Sequence, residues 1–251
     1  MKTYKRIAAM VLLICFMSLA PVSTAFARAG GGGGGGTAGG GGGGGTGGGG
    51  GPTSGYTSRG ASRSHPISSI LGGIVVAVAA SGGAIVLYCK VHAKHRKAKR
   101  VMKSLEQYDP SWNYENFRLH IQNLFYTVQE AWAKRDQEID RQYLSHKLYE
   151  QYKIKSEWMI MRHEQNILQK MQLIEALPID INDFEGDSCD YMWVYIKGRM
   201  VDYTIDDRTM EMISGSKNPT SFVEYWKLIK ENGNWVLDEI RQKDEFSLNS
   251  I

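Results

Sequence analysis

The chain has no acidic residue before Glu106. It is also poor in cysteine: Cys15, Cys89 and Cys189 are the only three in 251 residues, far apart in sequence. That excludes a disulfide framework and a cysteine-based metal site. No Ser-His-Asp order, phosphate-cradling glycine loop or His/Cys cluster is present. No catalytic residue, metal or cofactor is therefore expected. The late start of the acids makes the chain electrically lopsided. From residue 104 onward, 17 Lys or Arg stand against 26 Asp or Glu, a net charge of −9. An acidic domain of this kind argues against non-specific nucleic-acid binding, which depends on neutralising phosphates.

What is present falls into five stretches. Residues 1–27 read as a secretory signal: Lys2, Lys5 and Arg6, then the apolar run Ile7–Leu19, then Ala25-Phe26-Ala27. Cleavage is expected after Ala27, with an uncleaved signal anchor as the alternative. Residues 28–66 form a linker; 19 of the 22 residues Gly30–Gly51 are glycine. Such a segment buries nothing that offsets the entropy of ordering it.

Ile67–Cys89 is 23 residues without a charge. As a helix it would measure roughly 34 Å against a hydrocarbon core of about 30 Å. It is read as a single membrane span. Within it Ser69, Gly73, Ala77 and Ser81 recur every four residues, a ridge on which two helices could approach and form a homodimer.

The collar 90–103 follows at once, with Lys90, Lys94, Arg96, Lys97, Lys99, Arg100 and Lys103. By the positive-inside rule it sets the Gly-rich tail outside and the remainder in the cytoplasm. It is also expected to meet anionic lipid, at about 1 kcal/mol per basic residue. His92 and His95 are read as part of its solvated face.

Residues 104–251 have globular composition and length for one domain. Pro110-Ser111 marks an entry turn. Phe117, Ile121, Leu124, Phe125, Val128, Ala131 and Trp132 have helical spacing. A second helix is expected over 140–152. A third is expected over 156–172, carrying Met159, His163, Ile167 and Met171. After Pro178 the period changes to two. Strands are expected at Ile179–Ile181, after it Tyr191–Ile205, then Ser221–Lys230 and Trp235–Gln242. A turn falls at Glu185-Gly186-Asp187, a loop at Asp206–Pro219, and the last two strands join through Asn232-Gly233. Helices followed by an antiparallel meander of about four strands is an α+β order.

Phe222-Val223-Glu224-Tyr225-Trp226, the Asn-Gly turn and Trp235–Ile240 resemble the closing hairpin of the carboxy-terminal domain of mitochondrial inner-membrane translocase subunit forty-four. Tyr191–Asp206 resembles the strand before it, and the likeness covers about Tyr114–Asp244. It implies a cone like nuclear transport factor two, with about three helices on a curved sheet. It further implies a membrane-apposed, non-enzymatic scaffold that binds protein or anionic lipid in protein transport. The order of signal, Gly-rich tail, span and domain is similar to bacterial members. The long amino-terminal region that engages the import motor in the mitochondrial relative has no counterpart here, which argues against chaperone recruitment. Cones of this type also host enzymes and small-molecule binders, so the alternative is a membrane-anchored small-molecule binder or enzyme that uses the cone cavity. Its expected lining is Trp193, Tyr195, Phe222, Glu224, Trp226 and Trp235. Glu224 is the one candidate acid, with His120, His146 and His163 as candidate partners; the simpler reading of Glu224 is a structural carboxylate bonded to a neighbouring indole.

Overall fold

The computed structural model describes residues 28–29, 66–184 and 190–248, and of 66–83 the backbone alone. The signal, most of the Gly-rich linker, the turn at 185–187, Cys15, Cys189 and the side chains of Ser69, Gly73, Ala77 and Ser81 lie outside the described residues. The chain divides into two compact units, and the one that follows comprises Ala20–Gly32 and Ala84–Ile251.

Three α-helices precede a four-stranded sheet: α1 (Pro66–Leu105), α2 (Tyr114–Lys134) and α3 (His146–Met161). The strands β1 (Glu164–Asn182), β2 (Tyr191–Asp206), β3 (Met212–Glu231) and β4 (Asn234–Gln242) form an antiparallel meander in chain order. This is the expected α+β cone. Among the described residues, no helix is long and apolar enough to cross a membrane; the apolar stretch of α1 falls mostly on 67–83, whose side chains are outside them.

Local caps fix the helix ends that follow α1. Asp109 caps the 3-10 turn Pro110–Trp112 by accepting from the Ser111 amide. The Asn113 side chain caps α2 by accepting from the Asn116 amide, and Arg135, at φ 56°, closes that helix in the left-handed region. Ser145 caps α3 through the Leu148 amide.

The expected third helix does not form. α3 takes residues up to Met161, His163 turns the chain at φ 56°, and Glu164 begins β1. The stretch lacks a strand's period of two for a local reason. β1 slips register against β2 between Gln169 and Gln172 and between Leu173 and Glu175, with Lys170 at φ 52°. Each bulge moves the side-chain alternation by one residue. Leu168, Met171, Leu173 and Ala176 therefore all pack on the main core at spacings of three, two and three. The expected loop at 206–219 is also shorter than read, since β3 starts at Met212.

The main core lies between the helices and one face of the sheet. Phe125, Leu124 and Val128 of α2 and Leu148 and Tyr152 of α3 meet Met192, Val194, Ile196, Trp226 and Leu237. The opposite sheet face is apolar too. It is covered by the carboxy-terminal Phe246 and Leu248 and by Val91 of α1, which pack with Trp193, Tyr195 and Tyr225.

The collar is not wholly solvated. Val91, Ala98 and Met102 are buried, and Leu87 and Leu105 pack beside them. His95 is half-buried: its Nδ1 lies 3.1 Å from the Pro178 carbonyl, and its ring stands beside Tyr114. Burial holds its pKa below the usual value despite that carbonyl. Residues 87, 91, 95, 98, 102 and 105 thus form one stripe at helical spacing, fastened to the domain.

Asp140 is fully buried at the start of the 3-10 turn Arg141–Tyr143, and neither carboxylate oxygen finds a hydrogen-bond partner among the described residues. Burial raises its pKa to about 7. A carboxyl whose folded pKa exceeds its unfolded value binds its proton more tightly when folded, so its contribution to stability falls as pH rises from about 4 to 7. Asp140→Asn should therefore melt progressively higher than the parent as pH goes from 5 to 8. The gain has a ceiling of about 4 kcal/mol at 1.4 kcal/mol per pKa unit. A constant difference between the two melting curves across that range would remove the buried acid as its source.

Candidate functional site

Antiparallel register decides which side chains meet. Ile196 pairs with Glu224 and Gly198 with Phe222, while Glu224 also pairs with Gln242 of β4. Phe222, Glu224 and Trp226 alternate onto the helix-facing side of β3, with Asp202 two residues beyond Met200 on the matching face of β2. These residues form a polar pocket in an otherwise apolar core. Gly198 makes room for it: a Cβ there would stand 2.4 Å from the Phe222 ring.

Glu224 is fully buried, and its carboxylate is held from three sides. The Trp226 indole donates at 3.0 Å, the Gln242 amide at 3.1 Å and the Arg28 Nε at 2.6 Å. Arg28 reaches the pocket from nearly two hundred residues away in sequence. Its other nitrogens donate to Asp202 at 3.4 Å and to the Gln242 carbonyl oxygen at 3.0 Å. Its guanidinium lies 4.2 Å from the Phe222 ring centre. The backbone amide of Ala29 donates to Gln129 of α2 at 3.2 Å, and Ala29 itself is fully buried. Burial pushes the Asp202 carboxyl up to about 6 against the pull of Arg28.

Of the expected lining, Phe222, Glu224 and Trp226 meet at this pocket. Trp235 is in the same core but apart from it, bonded to the Ser111 carbonyl and packed edge-on against Trp112. Trp193 and Tyr195 are on the opposite sheet face, because odd positions of β2 point away from even ones. None of the three candidate histidines has Glu224 as its recorded partner. His120 bonds the Trp235 carbonyl, His163 faces Asp207 after the end of α3, and His146 opens α3. Arg28, Ala29, Asp202, Gln242 and Gln129 were not singled out in the sequence. Two of them carry a legible sign: Asp202 continues the inward alternation of Met192, Val194, Ile196 and Met200, and Gln129 adjoins Val128 on a buried helix face.

A second feature is a groove of about 890 Å³ between the collar and α2. Arg96, Lys99, Arg100 and Lys103 line it with His95 and Tyr114, opposed by Glu106 and Glu115. The Lys99 ammonium lies 4.0 Å from the Tyr114 ring centre. Lys90, Lys94 and Lys97 are on the same helix outside the groove. Among the described residues no cluster of three His, Cys, Asp or Glu is placed to hold a metal ion.

The family model of the Tim44-like domain matches residues 98–242, more than half of the chain. A search of curated proteins found no match. Among solved structures, the chain is similar to the intermembrane space region of the chloroplast protein ARC6. The two share 6% identity over 49% of this chain and 92% of that one, with a TM-score of 0.35.

Proposed function

The chain belongs to the Tim44-like domain family, and from that premise we propose that it is a non-enzymatic, membrane-anchored binding module of protein transport. Its cone binds a protein partner, and its collar binds anionic lipid. The observation that carries the lipid reading is the two-sided collar. The apolar stripe through Val91, Ala98 and Met102 fixes the helix to the cone, while Arg96, Lys99, Arg100 and Lys103 line an open groove. A basic helix so fixed offers its charges as one preset surface, with little side-chain or backbone ordering left to do on binding. Ile67–Cys89 is its anchor, and the collar's seven cations keep the cone on the cytoplasmic side.

The lipid reading is tested with the full chain in neutral detergent, titrated with short-chain phosphatidylglycerol and phosphatidylcholine. The anionic lipid should bind more tightly. Arg96→Glu, Lys99→Glu and Arg100→Glu together should weaken it roughly hundredfold, at about 1 kcal/mol per basic residue. Equal binding of both lipids, or a reversal variant that binds like the parent, would rule the groove out. Orientation is read separately from alkaline phosphatase fused after Ile251, which should be inactive.

A further inference from the structure

We propose that the pocket around Glu224 is a receptor for an arginine-bearing peptide segment, and that its resident occupant is Arg28–Ala29 of this chain. The inference rests on the pocket alone and not on the lipid reading, and it applies to the chain whose amino-terminal tail is on the same side as the cone, the state before any translocation of that tail.

The geometry is that of a bound ligand. Arg28 is 8% exposed and Ala29 is fully buried, although Gly30 begins a stretch that is almost entirely glycine. The three side chains that accept from the Arg28 guanidinium among the described residues belong to three different strands: Asp202 to β2, Glu224 to β3 and Gln242 to β4. Three acceptors in three directions, with an aromatic ring beneath the cation, suit a planar guanidinium and not an ammonium.

The pocket also needs such a guest. Asp202 and Glu224 are 1% and 0% exposed, and among the described residues their ion-pair partner is Arg28. Two carboxylates buried together without a cation are strongly disfavoured. Gln129 Nε2 and Asp202 Oδ1 find no partner among the described residues.

The test uses the full chain in detergent and the peptide acetyl-Ala-Arg-Ala-Gly-Gly-amide, which reproduces residues 27–31. An Arg28→Ala chain should bind this peptide and gain melting temperature from it. The parent, its site already filled, should bind at least about tenfold more weakly. Peptides with Lys or Ala in place of Arg should also lose at least about tenfold, the worth of one charge-assisted hydrogen bond. An Arg28→Ala chain that folds but takes up no peptide overturns the proposal.

Should that variant not fold, the parent decides alone through amide exchange. The Ala29 N–H should exchange about a hundredfold or more slower than in the free peptide, because exchange then requires the segment to leave its seat. Exchange at the free-peptide rate overturns the proposal.

Discussion

Glu224→Ala is expected to destabilise the domain by about 3–5 kcal/mol, the range for removing one partner from a buried ion pair. The loss has identifiable parts. The Trp226 indole, the Gln242 amide and the Arg28 guanidinium all donate to this carboxylate, and all are buried. Truncation leaves three donors short of an acceptor and opens a void beside Phe222. Against a total stability of about 5–15 kcal/mol, that is a large share. Glu224→Gln keeps the size and one acceptor oxygen, so it should cost about 1–2 kcal/mol, near the worth of a single hydrogen bond. Urea midpoints of the two variants, at equal slope, provide the measurement. If Gln and Ala are equally damaging, the network around Glu224 is not what holds the site.

Met102→Asp should have a comparable effect by a different route. Met102 has no exposed surface and belongs to the main core, though it sits in a segment whose sequence reads as a solvated basic collar. An unpaired carboxylate there would meet no counter-charge on the buried side, and the least unfavourable outcome is detachment of the last turns of α1. A loss of about 3–5 kcal/mol is expected from buried-charge and cavity effects combined. Met102→Leu, which conserves volume, should stay within about 1.5 kcal/mol. Arg100 and Lys103 are exposed already, and detachment would free the backbone around them to unfold and be cut by trypsin. A Met102→Asp chain as stable and as trypsin-resistant as the parent would mean that the collar is not fastened to the cone.

The parts of the fold legible in sequence were those whose periodicity survives intact. The buried face of α2 from Phe117 to Trp132 and the even positions of β2 are regular, and both lie where spacing predicted. The Asn232-Gly233 turn was legible because its two residues adopt positive φ, 51° and 77°. β1 was misread because its bulges break the period of two that marks a strand. The collar was misread because its seven cations hide an apolar stripe only six residues long. Glu224 was found because it interrupts an apolar strand. Its partner Arg28 could not be found that way, since nothing in a glycine-rich linker marks one arginine as buried. Only the folded geometry brings residues 28, 202, 224 and 242 together.

If Ile67–Cys89 spans a membrane as proposed, the seating of Arg28 constrains how the chain can be threaded through it. The arginine precedes the apolar stretch and its carboxylates follow it, so a single traverse by Ile67–Cys89 would part them onto opposite sides of the bilayer. Translocation of the tail and occupation of the pocket are then mutually exclusive states of one molecule, and parity of traverses decides between them. Moving the tail across would strip two interior carboxylates of their cation. On the proposed span, membrane insertion and the chemistry of the cone's interior would be coupled by that one side chain.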